Sequence, residues 1–169
     1  PGFMGGPKKS LKTSLAMDLA LSLATGGHFL GKFRVNEPRR VVFLSGESGL
    51  ATLQETALRV CRAMGINLAD VDGFTLSTTL PRMDDDADLA DCERFIADVG
   101  AEVVIADPLY LMLAGDDAGN LYKQGARLRN WAEMCLSISV TGLLCHHTKS
   151  TVAAPHSPTE LDHLAWGGC

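Results

Sequence analysis

The sequence predicts an α/β fold in which helices cover both faces of a mostly parallel sheet. Short apolar runs of strand length alternate along the chain with longer segments whose apolar residues recur at helical spacing. That alternation is typical of parallel sheets, since parallel strands need a crossover connection that is usually a helix. The 169 residues contain no internal repeat and 46% of them are apolar, so a single domain over 1–169 is the simplest organisation.

Four segments have the composition of strands, of which 74–77 is the weakest, and four are expected to be helices. The strands are expected at 41–45, 74–77, 102–107 and 140–145. The helices are expected at 11–24, 50–64, 88–99 and 120–137. Glycines follow the first two helices as stop signals, at Gly26 and Gly65. Residues 28–40 are expected to form a loop, and the acidic run at 84–86 a solvated turn that caps the next helix.

Charge and cysteine usage restrict the class of protein. The net charge of −5 provides no overall attraction to nucleic acid, so such contacts would need a local basic patch or loop. The five cysteines are odd in number and scattered, which favours reduced thiols in a cytoplasmic protein over a disulfide framework. The most apolar segment, residues 15–24, contains Asp18 and is too short to span a bilayer, so no membrane association is expected.

The stretch GGPKKSLKTS at 5–14 is close to a phosphate-binding loop. It has Gly6, four intervening residues and then Leu11-Lys12-Thr13, where the usual pattern has Gly-Lys-Ser/Thr. Such a loop holds phosphate oxygens with backbone N–H groups at a helix N-terminus, and its lysine adds a charge at the outer phosphates. A polar turn that caps a helix is the alternative. The expected nucleotide-binding residues are Gly6, Pro7, Lys8, Lys9, Ser10, Leu11, Lys12, Thr13 and Ser14.

Leu11 stands where the pattern has glycine. A positive φ at this position would penalise leucine by roughly 1–2 kcal/mol. Leu11 also begins an apolar series with Leu15 and Leu19 at i, i+4 and i+8. We therefore expect the Leu11 side chain to point into the core and anchor the helix N-terminus, with the loop a working nucleotide site.

Three further polar positions follow predicted strands. Glu47 follows 41–45, Asp107 ends 102–107, and His146-His147 follow 140–145. Ligands in open α/β sheets bind outside the carboxyl ends of the strands. There Asp107 and the Thr13 hydroxyl could hold Mg²⁺, and a carboxylate could orient a water molecule. Each residue taken alone could be a simple turn residue, but together they predict nucleotide hydrolysis.

The segments VVFLSGESG, VVIADPLYLML and GLLCHHTKS resemble the plasmid-type replicative hexameric helicase family, an AAA-type group of RecA-like P-loop ATPases. The resemblance covers residues 5–150 and implies a RecA-like core that uses ATP and Mg²⁺. It implies that Glu47 is the catalytic glutamate, Asp107 the Walker B aspartate, and His147 the sensor of the γ-phosphate. His147 is preferred to His146 because related ring helicases have a His-x-Lys order, here His147-Thr148-Lys149.

The same resemblance implies partners. It predicts a homo-oligomeric ring, a hexamer, that moves on DNA, with single-stranded DNA as the favoured form. The loop at 114–123 follows the Walker B strand, where RecA-like motors carry DNA-contacting loops. The family's arginine finger would lie beyond residue 168, so Arg127 and Arg129 are expected to be exposed helix residues. Only PGFM precedes Gly5, so we expect a fragment whose phosphate-loop strand is nearly absent and which is cut short at both ends.

Two other functions remain open from the sequence. The first is a regulatory or scaffolding ATPase of the same fold that binds ATP without moving along DNA. The second is a small-molecule kinase, for which the sequence has no acceptor-binding signature. DNA-stimulated turnover would distinguish the motor from the regulator.

Overall fold

The structure is a computed structural model that describes residues 1–7, 10–113 and 121–147. Strands are β1 (Gly2–Gly6), β2 (His28–Phe29), β3 (Phe33–Arg34), β4 (Val41–Ser45), β5 (Phe74–Ser77), β6 (Val103–Asp107) and β7 (Thr141–His147). Helices are α1 (Lys12–Thr25), α2 (Leu50–Met64), α3 (Asp86–Asp98), α4 (Leu109–Met112) and α5 (Leu121–Ser137). Within these ranges, no helix combines the length and apolar character needed to cross a membrane.

A five-stranded sheet organises the domain, in the order β1-β7-β6-β4-β5. Every pairing in this sheet is parallel, and the central pair β4 and β6 is in register from Val41 opposite Val103 to Ser45 opposite Asp107. The carboxyl ends of the strands therefore meet along one edge. The α/β fold with a mostly parallel sheet, a RecA-like P-loop core, is confirmed.

Alternate residues of the central strands enter two separate cores, which is why these strands are apolar throughout. On one face, Val41 and Phe43 pack with α1 and α2. On the other, Val42 and Leu44 pack with α3, α4 and α5. The prediction that helices cover both faces of the sheet is confirmed by this division.

The expected near-absence of the first strand is wrong. β1 runs from Gly2 to Gly6 and pairs with β7 in a continuous register, from Gly2 opposite Leu143 to Gly6 opposite His147. Gly5 and Gly6 have low intrinsic strand propensity, so their extended conformation comes from pairing with β7. The strand therefore positions the loop that follows it.

Two other expectations also need correction. The predicted loop at 28–40 contains a short antiparallel hairpin, in which Phe29 pairs with Phe33. Its turn has positive φ at both Leu30 and Gly31, which matches the twist of a hairpin. The last strand continues to His147 rather than ending at Cys145, because β1 pairs with it to that point.

Candidate functional site

The carboxyl edge of the sheet carries a cavity of about 350 Å³. It lies where the loop after β1, the turn after β4 and the end of β7 approach one another. Its lining residues are Ser10, Leu11, Lys12, Thr13, Ser14, Glu47 and His147. The fold thus brings together residues that the sequence analysis predicted from three separate segments.

The side chain of Lys12 contacts the described residues on both sides of positions 8 and 9. Its ammonium donates hydrogen bonds to the carbonyl oxygens of Gly6 at 3.0 Å and Pro7 at 2.6 Å, and to Ser10 Oγ at 3.2 Å. Gly6 is required for this approach, since a Cβ there would lie 2.9 Å from Ser10 Oγ and 3.5 Å from Lys12 Cδ. Lys12 is therefore both the first residue of α1 and the centre of the loop.

Burial and nearby charges shift the pKa of the Lys12 ammonium in opposite directions. Burial lowers the pKa of the ammonium below its ordinary value of 10.5, and this is the largest effect. Asp107, Cys145 and Glu47 raise the pKa, in that order. The nearby carboxylates therefore favour the charged form of Lys12, against the effect of burial.

A hydrogen bond joins Thr13, in the first turn of α1, to Asp107 at the end of β6. Thr13 Oγ1 donates a hydrogen bond to Asp107 Oδ2 at 2.6 Å, although the residues are 94 positions apart. Burial raises the pKa of the Asp107 carboxyl, the Thr13 hydrogen bond lowers it, and Glu47 raises it further. His147 and Lys12 lower it by smaller amounts.

This pair fits a magnesium ion. Mg²⁺ prefers hard oxygen ligands and uses few protein groups, since it keeps several waters and binds substrate phosphates. Thr13 and Asp107 place a hydroxyl and a carboxylate together beside the phosphate-binding loop. The carboxylate is buried, and its raised pKa reflects the cost of that burial, which a divalent cation would offset.

Glu47 and His147 face each other across the cavity. Glu47 Oε2 lies 3.8 Å from His147 Nε2, beyond direct hydrogen-bond distance. The Glu47 side chain is 51% exposed, and that of His147 only 15%. His146 is buried within β7, where successive side chains point to opposite faces, so His147 is the histidine that lines the cavity.

Tyr110 is a neighbour of the site that the sequence analysis did not identify. Its ring centroid lies 5.9 Å from that of His147, with 40° between the ring planes. Tyr110 lies in α4, after Asp107 and the cis peptide bond to Pro108. A tyrosine in the apolar run PLYLML resembles a core residue, so no local signal marks it.

The expectation that Leu11 anchors α1 in the core is wrong. Leu11 has φ 59° and ψ 21°, in the left-handed region, and the residue is 75% exposed. The buried face of α1 is instead formed by Ala16, Met17, Ala20 and Leu21. The loop must turn sharply for Lys12 to reach back to Gly6 and Pro7, and Leu11 adopts the backbone conformation for which the usual pattern has glycine.

The expectation that Arg127 is an exposed helix residue is also wrong. Its side chain is 11% exposed, and its guanidinium donates to the Leu113 carbonyl at 3.0 Å and to Asp84 Oδ2 at 2.6 Å. Asp84 also accepts from Arg82 at 3.2 Å. Asp85, rather than the whole acidic run, caps α3 by accepting from two backbone N–H groups. Arg129 is exposed, as predicted.

Some predicted residues lie outside the described ranges. They are Lys8 and Lys9 of the loop, residues 114–120 of the segment expected to contact DNA, and Thr148 and Lys149 after His147. Trp131 is fully buried in α5.

A family model described as an AAA domain matches residues 1–152 of the chain. The matched range includes the loop after β1, the turn after β4 and the end of β7, which line the cavity. No curated protein matches the chain in sequence.

Proposed function

Because the chain belongs to the AAA-domain family and is an ATP-binding P-loop ATPase domain, we propose that it hydrolyses ATP in the cavity at the carboxyl edge of its sheet. We further propose that it acts in the cytoplasm as the motor of a DNA replication helicase. The observation that carries the catalytic part is that Lys12, Thr13, Glu47 and His147 line one cavity, where Thr13 is hydrogen-bonded to Asp107.

The loop after β1 would hold the triphosphate. The N-terminus of α1 directs backbone N–H groups toward the cavity, which favours phosphate oxygens. The Lys12 ammonium is held by carbonyl oxygens of the same loop, so it is already positioned when the nucleotide arrives. Phosphate oxygens would then replace part of that neutral hydrogen bonding with stronger charge-assisted bonds.

Thr13 and Asp107 would hold Mg²⁺, Thr13 through its hydroxyl and Asp107 directly or through water. When bound, the ion neutralises charge on the outer phosphate oxygens. The Thr13 hydroxyl donates to the Asp107 carboxylate at 2.6 Å, which keeps both oxygens at the site.

Glu47 is the residue proposed to orient and deprotonate the attacking water. Its carboxylate is half exposed, so water has access to it, and it lies on the turn that faces the loop across the cavity. His147 lies 3.8 Å away on β7, a strand that pairs directly with the phosphate-loop strand β1. A change at the γ-phosphate could therefore alter the Glu47–His147 pair and be passed to β7, the role of a sensor.

The motor role depends on the resemblance to replicative ring helicases, which implies a homo-hexamer and single-stranded DNA as partners. The alternative, a regulatory ATPase of the same fold, uses the same cavity and differs only in its response to DNA. DNA should raise the turnover of a motor and leave that of a regulator unchanged.

The test compares the parent with Glu47→Gln, using Glu55→Gln as a control because Glu55 is an exposed carboxylate on α2, paired with Arg59. Glu47→Gln should bind ATP with parental affinity and lose hydrolysis by about 100- to 10,000-fold, the range typical for removal of a general base. Parental turnover in Glu47→Gln would contradict the catalytic assignment. Turnover that single-stranded DNA does not stimulate in the parent would favour the regulatory alternative.

A further inference from the structure

We propose that Tyr110 is a positioning residue for the Glu47–His147 pair, which holds the His147 imidazole beside the Glu47 carboxylate. This inference rests on the ATPase function proposed above and extends it to a residue that no motif marks. Tyr110 acts through His147 and has no contact with the nucleotide in this proposal.

The contact between the two rings has the geometry of an attractive aromatic pair. The ring centroids of Tyr110 and His147 are 5.9 Å apart and the planes are tilted by 40°. Aromatic pairs prefer offset or tilted arrangements with centroids 4.5–7 Å apart, and the preference corresponds to a factor of about 2 to 10 in an equilibrium constant. The phenol ring can therefore favour one orientation of the imidazole.

Tyr110 is carried by a backbone segment whose neighbouring residues are buried or paired in the sheet. The helix α4 is only one turn long, but Leu109 and Met112 on either side of Tyr110 are fully buried in the core. The preceding Asp107 belongs to β6, which pairs with both β4 and β7. The backbone that carries Tyr110 is thus held at both ends of the turn.

The same short helix supports the turn that carries Glu47. A Cβ at Gly46 would lie 3.2 Å from Leu111 Cδ1, so the turn packs closely on α4. The Gly46 N–H also donates to the Asp107 carbonyl at 3.3 Å. Leu111 therefore contacts the Glu47 turn while the adjacent Tyr110 contacts His147, and α4 sets the spacing between the two residues.

Ring contact and side-chain bulk can be separated by substitution. Tyr110→Leu keeps an apolar side chain of helical propensity but removes the ring, whereas Tyr110→Phe keeps the ring. Phe33→Leu is the matched control, since Phe33 is an exposed aromatic residue of the β2–β3 hairpin, remote from the cavity. Tyr110→Gln provides a second ring-free variant if Tyr110→Leu does not fold.

The expected result is a fall in kcat of about 2- to 10-fold in Tyr110→Leu, with KM and the Kd for ATP within twofold of the parent. Tyr110→Phe and Phe33→Leu should retain the parental kcat. In a His147→Ala background, Tyr110→Leu should cause no further loss, because its effect passes through the imidazole. Thermal unfolding of each variant shows whether it is folded.

Several results would overturn the inference while leaving the ATPase function intact. The first is an equal loss of kcat on Tyr110→Leu with and without His147, and the second is a loss in Tyr110→Phe as large as in Tyr110→Leu. Parental kcat in both ring-free variants would also overturn it. If His147→Ala itself has the parental kcat while Glu47→Gln is inactive, the imidazole does not assist the Glu47 carboxylate in turnover, and the inference fails. If Glu47→Gln is fully active, the proposed catalytic site fails independently.

Discussion

The hydroxyl of Thr13 donates a hydrogen bond of 2.6 Å to the Asp107 carboxylate, linking the first turn of α1 to the end of the central strand β6. This contact joins the two residues proposed to hold Mg²⁺. Because the carboxylate is buried, the site places a charge where it is costly in the absence of metal and nucleotide. Stability and activity should therefore respond in opposite directions when the charge is removed.

Asp107→Asn should stabilise the nucleotide-free protein at pH 7 and reduce Mg²⁺-dependent hydrolysis by at least about 100-fold. Burial raises the pKa of the Asp107 carboxyl above its ordinary value of 3.8. Between 3.8 and the raised value the folded state binds more protons than the unfolded state, so this group makes stability fall as the pH rises through that window. The gain in Asp107→Asn should be largest at pH 7 and shrink as the pH falls toward 4.

Chemical denaturation of parent and variant across pH 4–7, without metal or nucleotide, measures this difference. Asp98→Asn is the control, since Asp98 is an exposed carboxylate at the end of α3. A stability gain in Asp107→Asn that does not depend on pH would contradict the electrostatic explanation.

Lys12→Ala should weaken ATP binding by about 10- to 100-fold, because a charge-assisted hydrogen bond contributes about 1.5 to 3 kcal/mol. The substitution also removes the three hydrogen bonds that the Lys12 ammonium donates to the Gly6 and Pro7 carbonyls and the Ser10 hydroxyl. Calorimetric titration with ATP measures the affinity, and Lys32→Ala on the exposed hairpin is the control. Equal affinity in Lys12→Ala and the parent would contradict a phosphate-binding role for the loop.

Leu11→Gly should stabilise the protein by about 0.5–1 kcal/mol. Removing a side chain from the left-handed region relieves roughly 1–2 kcal/mol, and the greater backbone freedom of glycine in the unfolded chain offsets about 0.5–1 kcal/mol of this. Leu30→Gly is a matched control, since Leu30 has φ 54° and is also exposed but lies on the hairpin. Both variants should gain stability in denaturant titrations.

ATP affinity should stay within about threefold of the parent in Leu11→Gly, because the backbone donors of the loop are retained. A loss of 2 kcal/mol or more would instead mean that the Leu11 side chain is buried. A tenfold gain in affinity without a change in stability would mean that Leu11 obstructs the phosphates.

Arg127→Ala should destabilise the protein by about 1–3 kcal/mol, since it leaves the Leu113 carbonyl and the Asp84 carboxylate without their guanidinium donor. The loss should lie toward the lower end, because Asp84 retains Arg82 and is 25% exposed. Arg129→Ala, two residues along the same helix and exposed, should change stability by less than about 0.5 kcal/mol. Equal effects of the two substitutions on thermal unfolding would contradict a stabilising role for the Arg127 hydrogen bonds to Leu113 and Asp84.

Local patterns were sufficient to predict most elements of the sheet and its helices. The strands at 41–45 and 74–77 and the helix at 50–64 have the predicted bounds. Their signals are the short apolar or β-branched run of each strand, the helical spacing of apolar residues and the glycine that follows the helix, all of which are local in the sequence. The short hairpin at 28–34 was missed, because two strands of two residues each are too short for a period to be seen.

The candidate site could be predicted by residue type but not by geometry. The phosphate-loop pattern and the polar residues at strand ends selected Lys12, Thr13, Glu47, Asp107 and His147, and the parallel sheet brings those strand ends to one edge. The sequence had no signal for Tyr110, since an aromatic residue in an apolar run has the same pattern whether it packs in the core or against a histidine.

The sequence by itself determined the fold class and the chemistry available at the sheet edge, because hydrophobic periodicity and side-chain type are local properties. Only the tertiary structure decided the conformation of Leu11, the burial of Arg127 and the pairing of Thr13 with Asp107. Each depends on tertiary contacts that the local sequence pattern does not specify. The helical spacing predicted that Leu11 lies in the core. Instead it has a left-handed backbone conformation directly before Lys12, whose ammonium bonds back to Gly6 and Pro7. The contacts around Leu11 therefore set its backbone conformation, and its exposed side chain does not.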